Sequence, residues 1–162
     1  MRRELFVPLG IALAFAVVAL AAVLWFNRGA HMILEGSVQK VRTLDMDGAT
    51  AVIVDFRLTN PSDYTFVVRQ PFLVLETKDG TIEGMLVADS DAKRFFDYYK
   101  TIGPKYNDSL LMREKIPSKQ TVDRMLAARF EAPEAVIAAR RGLKIRVEEI
   151  DGAVSEIAEK RP

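Results

Sequence analysis

The stretch VDFRLTNPSDYTFVVR, residues 54–69, contains two extended runs separated by the dipeptide Asn60-Pro61. In the first run, apolar residues alternate with polar ones, which is the period of a β-strand with one buried and one mostly wet face. Asn60 is suited to bonding the local backbone and Pro61 cannot donate to a β-ladder, so the dipeptide predicts a corner between strands. At such a corner the chain changes direction and is free to cross to a second sheet. The functional alternative is that Asn60 presents its amide to a ligand.

Runs with the same short period lie on both sides of this corner. Turn signals separate them, among them Asp47-Gly48, 78–80 and Asp151-Gly152, where Gly supplies the backbone geometry of a turn. Many short strands joined in this way predict a mainly β fold, an antiparallel β-sandwich. The predicted strands are residues 33–44, 49–59, 64–68, 72–77, 81–87, 109–115, 120–131, 143–150 and 153–157.

Two segments have the 3.6-residue period of short helices. The first is 90–101, with Asp89 or Ser90 as its N-cap. The second is 133–141, which starts with Pro and ends before Gly142, an asymmetry typical of helices. The first helix is expected to bury one face, which consists of Ala92, Phe95, Phe96, Tyr99 and Ile102.

An uncharged apolar run occupies residues 5–26. As a helix it would be about 33 Å long, which is enough to cross a hydrocarbon core of about 30 Å. The sequence therefore predicts a transmembrane signal-anchor at 5–26. A cleaved signal peptide is the alternative, because Ala19-Leu20-Ala21 is an acceptable cleavage site, although the apolar run continues past it.

Basic residues before a span favour an N-terminus inside the cell, and Arg2 and Arg3 precede this one, but Arg28 and Lys40 follow it closely and weaken the bias. The tail of four residues is too short to hold a domain, which favours a signal-anchor at the start of the chain with the rest outside. Residues 1–4 are then a cytoplasmic tail, 27–31 a linker, and 32–162 a domain outside the cytoplasm, periplasmic if the cell is bacterial. We expect a single-pass membrane protein that meets the membrane through its N-terminal helix.

Composition argues against several classes of function. The chain has 23 basic and 22 acidic residues, and removing Arg2, Arg3 and Glu4 leaves 21 of each sign. A neutral domain is not expected to bind nucleic acid, which requires a basic excess. The chain has no Cys, so it has no disulfide, no thiol nucleophile and no Cys-ligated metal.

Residues suited to catalysis or metal binding do not form a recognisable pattern. His31 is the only His and lies in the predicted linker, so we expect no His-based triad or metal site. Glu148 and Glu149 are neighbours on a predicted strand, where neighbouring side chains point to opposite faces. Asp89 and Asp91 lack the spacing of an EF-hand, and capping of the helix beside them explains both. We therefore expect no catalytic residue, no metal site and no cofactor.

Two groups of side chains are candidates for contact with a partner or with lipid. An aromatic cluster rimmed by basic residues lies on the first predicted helix. The alternative is that most of this cluster packs on the sandwich and Tyr98, which is off the apolar face, stays exposed. Two arginines at the end of the second helix would suit anionic lipid, or would stabilise the helix dipole. The candidate residues are Phe95, Phe96, Tyr98, Tyr99, Arg140 and Arg141.

The strand before the corner has the form V-x-V-x-F-x-L-x-N-P, from Val52 to Pro61, and a second apolar strand follows it. This order resembles the water-stress and hypersensitive-response (WHy) domain, also called the group 2 late-embryogenesis-abundant domain. Residues 72–75 and 84–87 resemble the central hairpin of that domain, and 116–122 resemble its Ile-Pro approach to a later strand.

The resemblance implies an immunoglobulin- or fibronectin-III-like β-sandwich behind a single N-terminal span, with no enzymatic centre. It also implies a role in scaffolding at a membrane, in lipid handling or in stress protection. Residues 89–105 depart from the family pattern, since they form an insert in a loop expected to be short. The resemblance therefore implies nothing about the function of this insert.

These observations predict a membrane-anchored, non-catalytic binding or scaffolding domain outside the cytoplasm, with an unnamed protein or lipid partner. Lipid binding between the two sheets, or beneath the aromatic helix, is the first alternative. A cavity of several hundred Å³ lined by aliphatic side chains would favour it, and a close-packed core would not. Stress protection by the domain is the further alternative, although the regular strand pattern indicates a folded protein rather than a disordered protectant.

Overall fold

The structure, a computed structural model, describes residues 16–21 and 33–160. The chain divides into two compact units, Met1–His31 and Met32–Pro162. In the first unit residues 16–21 are helical, and the remainder of the predicted tail, anchor and linker, including His31, lies outside the described residues. Among the residues that are described, no helix has the length and apolar character needed to cross a bilayer.

The second unit is a β-sandwich made of two antiparallel sheets. The first sheet has the strand order β1-β2-β7-β5, and the second has the order β4-β3-β8-β9, with β6 pairing on β3. The predicted mainly β, two-sheet architecture is confirmed. The strands are β1 (Glu35–Asp45), β2 (Thr50–Thr59), β3 (Phe66–Thr77), β4 (Gly80–Glu83), β5 (Met85–Leu86), β6 (Lys115–Ile116), β7 (Thr121–Phe130), β8 (Gly142–Glu149) and β9 (Val154–Ala158).

The core lies between the sheets and is built from alternate residues of the long strands. Val54 and Phe56 of β2 face Leu73 of β3 and Ile145 of β8, and all four are fully buried in one cluster. Burying such side chains contributes roughly 1.5–3 kcal/mol each, so the alternating pattern of the sequence dictates which face of each strand lies inside.

The corner at Asn60-Pro61 joins the two sheets. β2 ends at Thr59 in the first sheet, and β3 begins at Phe66 in the second. The chain therefore crosses from the first sheet to the second at this corner, a crossing that the sequence allowed but did not require.

The two runs predicted at 64–68 and 72–77 form one continuous strand, β3, with a bulge between Val68 and Gln70. The Gln70-Pro71 dipeptide resembles a break because Pro lacks a ladder donor. On the side of β3 away from β8, β6 pairs only with 66–67 and β4 only with 74–77. Pro71 lies in the gap between them, so its missing N–H removes no ladder bond.

The single strand predicted at 81–87 is instead two short strands in different sheets. β4 pairs with β3, and β5 pairs with β7. Gly84 joins them and is packed so closely that an added Cβ would lie 2.7 Å from Phe130 Cζ and 2.8 Å from Ala128 Cβ. A residue without a side chain is therefore required where the chain passes between the sheets.

The strand predicted at 109–115 is mostly irregular. Ser109 makes an isolated parallel bridge with Met125, and only β6 at its end is a regular strand. The chain here follows the edge of β7 without continuous pairing.

Both helices are present and shorter than expected. They are α1 (Asp89–Tyr98) and α2 (Glu134–Ala138), and a 3₁₀ turn, Lys100–Ile102, follows α1. The N-cap of α1 is Ala88, without a side-chain cap bond, so the predicted capping by Asp89 or Ser90 is wrong. Asp89 and Asp91 lie in the first turn, where negative charge favours the helix dipole.

The outer face of β2 was expected to be mostly exposed to solvent, but most of it is buried in the structure. Ala51 and Ile53 on this face are buried in a second apolar cluster with Phe96 and Ile102. The insert that contains α1 covers this part of the first sheet, so both faces of β2 are buried from Thr50 to Phe56, whereas Arg57 stays exposed. Local alternation cannot reveal such a tertiary cover.

Candidate functional site

The predicted insert, 89–105, continues in the structure to residue 108, and this longer segment is called the insert from here on. It is fastened to the outer face of the first sheet by Arg42 of β1. Its Nη1 atom donates to the carbonyl oxygens of Ile102, at 3.0 Å, and Pro104, at 2.8 Å. Its guanidinium also lies over the rings of Phe96 and Tyr106, at 5.5 and 4.8 Å from their centroids. One side chain thus bonds both the backbone and the aromatic rings of the insert.

Asp55 of β2 holds Arg42 in place. Arg42 Nη2 donates to Asp55 Oδ2 at 2.9 Å, and Asn107 Nδ2 donates to the other carboxylate oxygen, also at 2.9 Å. The Arg42 and Asp55 side chains are only 10% and 4% exposed. Buried charges are tolerated when they are paired and hydrogen-bonded, so the insert is a fixed part of the domain.

The aromatic residues of α1 divide between the core and the surface. Phe96 is buried in the second cluster, and Phe95 and Tyr99 are half-buried beside it. Tyr98 is 79% exposed and packs edge-on against Tyr99, with ring centroids 4.7 Å apart. Tyr98 is the member of the predicted cluster that is most available to a partner.

A cleft of about 610 Å³ lies along α1 and the loop after it. Three lysines line it: Lys93, Lys100 and Lys105. Lys100 is paired with Asp97, with N and O atoms 3.1 Å apart, and Lys105 is paired more loosely with Asp89, at 3.3 Å. Among the residues that line the cleft, three lysines face one carboxylate, that of Asp97, which suits an anionic group. Asp89 and Asp108, the latter 3.8 Å from Lys105 Nζ, lie just outside the lining and offset part of this positive charge.

A second concavity is an apolar groove of about 520 Å³ between the two sheets. Leu86 and Leu126 of the first sheet form one side and Pro71 of the second sheet the other. Sequence reasoning did not locate this groove, because its walls come from distant parts of the chain. Its other lining residues are Gln70, Val87, Ala88, Asp89, Ser109, Leu110, Leu111, Met112 and Ala127.

At the rim of the groove, the Ser109 hydroxyl and the Lys105 ammonium lower the pKa of the Asp89 carboxyl from its ordinary value. Lys105 Nζ donates to Asp89 Oδ1 at 3.3 Å. Ser109 Oγ has no partner in full hydrogen-bond geometry among the described residues, so the ion pair with Lys105 is the firmer cause. Asp89 therefore stays ionised, and its charge at this rim is paired with the Lys105 ammonium.

The two predicted basic residues after α2 have different environments. Arg140 is buried, and its guanidinium donates to both carboxylate oxygens of Glu159, at 3.0 and 2.6 Å, and to the carbonyl of Ile137, at 2.9 Å. It ties α2 to the C-terminal segment and does not form a contact surface, contrary to the expectation from sequence. Arg141 is exposed.

Asn60 is buried at the corner and its side chain is fully used. Nδ2 donates to the carbonyl oxygens of Tyr64, at 2.8 Å, and Ile116, at 2.9 Å. Oδ1 accepts from the backbone N–H and the hydroxyl of Ser62, at 3.1 and 2.7 Å. These bonds leave the amide directed at protein backbone rather than at solvent. The adjoining Pro61 carbonyl accepts from Lys119 Nζ.

The carboxylates considered for chemistry lie apart. Glu149 is buried and accepts a hydrogen bond from the Asp151 N–H at 3.0 Å, whereas Glu148 is on the other face of β8 and lies 3.7 Å from Arg146. Within residues 16–21 and 33–160, no group of three or more His, Asp or Glu side chains could hold a metal ion.

No family model matches the chain, and no curated protein is significantly similar to it. Among solved structures, a β-sandwich protein from Clostridium difficile 630, itself described as uncharacterized, superposes with a TM-score of 0.39 and 10% sequence identity. The alignment covers 79% of this chain and 86% of the clostridial one.

Proposed function

We propose that this protein is a membrane-anchored, non-catalytic binding or scaffolding domain that lies outside the cytoplasm. The observation that carries the proposal is the insert, which a buried ion pair fixes to the sheet while Tyr98 stays 79% exposed beside a lysine-lined cleft. Aromatic residues such as tyrosine are enriched at protein interfaces and among the residues that dominate binding. We propose an acidic protein surface as the partner of this face.

The strand orders support an immunoglobulin-like assignment of the sandwich. The order β1-β2-β7-β5 corresponds to strands A, B, E and D of an immunoglobulin domain, and β4-β3-β8-β9 corresponds to C′, C, F and G. Such domains serve mostly as binding modules, although a fold alone does not fix a function. The resemblance to the WHy domain agrees with this assignment and remains part of the proposal.

A photo-crosslinking amino acid at Tyr98 tests the proposed surface in membranes of the native host. We expect a discrete protein adduct that is absent when the same amino acid replaces Asp79, in the distant β3–β4 turn. The double variant Lys93→Glu/Lys100→Glu should abolish the adduct, whereas Lys78→Glu, an exposed control, should not. An adduct that survives the double charge reversal would refute the acidic partner.

Two further measurements test the remaining parts of the proposal. A reporter fused after Pro162 should be active only outside the cytoplasm, and activity only inside would overturn the topology. A hydrolase activity of the purified chain that a single Ser or carboxylate substitution removes would overturn the non-catalytic assignment.

The apolar groove favours a second function, the binding of an acyl chain between the sheets. Its volume of about 520 Å³ and its aliphatic walls match the properties of small-molecule pockets, which measure about 300–1,000 Å³ and are mostly apolar. The rim carries the ion pair of Asp89 and Lys105, whose charges offset each other. A ligand with a neutral head is therefore the best match.

Ala88 lines this groove and is exposed, so Ala88→Trp should block it without disturbing the core. We expect the full chain to take up a fluorescent acylglycerol from vesicles, and Ala88→Trp to lower this uptake severalfold. Ala135→Trp, at an alanine on α2 that is also exposed, is the matched control. Equal uptake by both variants, or none by the native chain, would rule out this second function.

A further inference from the structure

The chain enters the sandwich at Leu34, whose buried backbone N–H donates to Ser155 Oγ at 2.8 Å. β1 begins at the next residue, Glu35, which pairs with Thr59 at the end of β2. On the second sheet, the Ile150 N–H donates at 3.0 Å to a carbonyl near the start of β3. The point of entry and several loops therefore share one end of the domain. We call it the linker end; it consists of Ile33 and residues 60–65, 117–120 and 150–153.

Large apolar side chains are exposed at this end. Ile33, Tyr64 and Ile150 are each more than half exposed. The opposite end is formed by residues 46–49 and 78–80 and by α2. Val136 is exposed there, and Met85, which is 70% exposed, lies close to this end because β5 pairs it with Arg129, one residue before the end of β7. The linker end thus carries three large exposed side chains with apolar surface, and it is the end at which the chain enters.

The charges at the linker end do not form a basic surface. Lys119 Nζ lies 3.1 Å from Asp63 Oδ1, and Glu35 and Asp151 are exposed nearby. The linker end therefore lacks the positive charge that would attract it to anionic lipid. It offers two aliphatic side chains and a tyrosine, and tyrosine is enriched at membrane interfaces because its ring is apolar and its hydroxyl polar.

The short linker limits what can cover this surface, because it restricts how far the linker end can move from the proposed span. The proposed span ends at Phe26, and residues 27–32 separate it from Ile33. Even fully extended, this connection reaches at most about 25 Å. The headgroup layer alone is about 5–8 Å thick on each side of a bilayer. With the proposed anchor in the bilayer, Ile33 cannot lie farther than this distance from the end of the span.

We propose that the linker end docks on the surface of the bilayer that holds the anchor, with Ile33, Tyr64 and Ile150 in the headgroup layer. The inference rests on the proposed membrane anchor and adds an orientation to it. The far end then points away from the membrane, and the docked domain does not rotate freely on its linker.

The absence of Cys allows a direct test with the full chain, since one introduced cysteine gives a single labelling site. Tyr64→Cys and Ile150→Cys carry an environment-sensitive fluorophore, and Asp79→Cys at the far end is the matched control. The labelled chains are reconstituted in phosphatidylcholine vesicles that contain a lipid-borne quencher. We expect severalfold stronger quenching at 64 and 150 than at 79, unchanged in about 0.5 M salt, where exposed charges are screened.

Each other outcome has a definite meaning. If alkaline carbonate releases the chain from the vesicles, the anchor is wrong and the docking proposal fails with it. If the chain is retained but labels at 64 and 150 are quenched no more than the label at 79, the anchor stands and docking is refuted. Labels that are shielded from water but not quenched by lipid would show that protein covers this end, which also refutes docking.

Discussion

Arg42 Nη2 and Asp55 Oδ2 lie 2.9 Å apart on neighbouring strands of the first sheet, beneath the insert. Asp55 is the only carboxylate that pairs with this guanidinium in the described parts of the chain, and Arg42 in turn bonds the backbone of the insert at two carbonyls. The pair therefore couples the stability of the sandwich to the position of the insert.

Asp55→Ala should destabilise the domain by about 3–5 kcal/mol, because it leaves a buried guanidinium without its counter-charge. The loss is measured as the free energy of unfolding in urea, and hydrogen exchange should increase at 102–107. Asp123→Ala, which removes an exposed carboxylate from the same sheet, is the control and should cost much less. Equal losses in the two variants would show that Arg42 does not depend on Asp55.

Phe96 and Tyr98 are two residues apart on α1, but truncating them should change the stability of the domain by very different amounts. Phe96→Ala removes a buried ring from the second cluster and should cost about 3 kcal/mol, near the lower bound for such losses. Tyr98→Ala removes an exposed ring and should change the free energy of unfolding by no more than about 0.5 kcal/mol.

Binding should show the reverse order. Tyr98→Ala should weaken capture of the proposed partner while the melting temperature stays the same. If Tyr98→Ala lowers stability as much as Phe96→Ala, the ring of Tyr98 serves the fold and the proposed contact surface loses its main residue.

The two-sheet fold could be predicted because its information is local. Val54, Phe56 and Leu58 alternate with polar residues, as do Leu143, Ile145 and Val147, and each set is buried as expected. The 3.6-residue periods that predict α1 and α2 were likewise visible in the sequence. In each case, the residues that determine the element are its own neighbours in sequence.

What could not be predicted depends on contacts between distant segments. The outer face of β2 looked wet because Asp55 and Arg57 are charged, but Asp55 is buried against Arg42 of another strand. Gly84 interrupts an apolar run, and a glycine in such a place is a signal of close backbone approach that could have indicated the crossing. No residue pattern in the sequence indicated the groove between the sheets.

Acid should affect the exposed pair of Arg57 and Asp123 in a defined direction. Two hydrogen bonds of 2.8 Å from the Arg57 guanidinium, together with its charge, lower the pKa of the Asp123 carboxyl. The folded state therefore binds this proton less readily than the unfolded state, whose Asp pKa is about 3.9. The stabilisation is complete above that value and is lost as the pH falls through the lower folded-state pKa.

A carbon-detected NMR titration of Asp123 measures this shift directly. Arg57→Gln should raise the pKa of Asp123 toward its ordinary value, whereas Arg129→Gln, on the same sheet but paired with Glu131, should leave it in place. A pKa of Asp123 that does not respond to Arg57→Gln would mean that the pair is not formed in solution.

Asn60 should contribute to the stability of the domain and not to ligand binding. Asn60→Ala removes the amide that bonds the carbonyls of Tyr64 and Ile116 and leaves buried groups unsatisfied, so we expect a loss of about 2–3 kcal/mol. Asn60→Asp keeps the acceptor for Ser62 but places a carboxylate oxygen against those carbonyls, and should be at least as damaging. Ser62→Ala, which removes bonds at the exposed side of the corner, should cost about 1 kcal/mol.

The discriminating measurement compares thermal unfolding with partner capture and lipid uptake in the same variants. If Asn60 only joins the sheets, binding at temperatures where the variants remain folded should equal that of the native chain, because the insert and the groove are built from other residues. Loss of binding in Asn60→Ala at an unchanged melting temperature would mean that the corner contacts a ligand after all, and that its bonds to Tyr64 and Ile116 open when the ligand arrives.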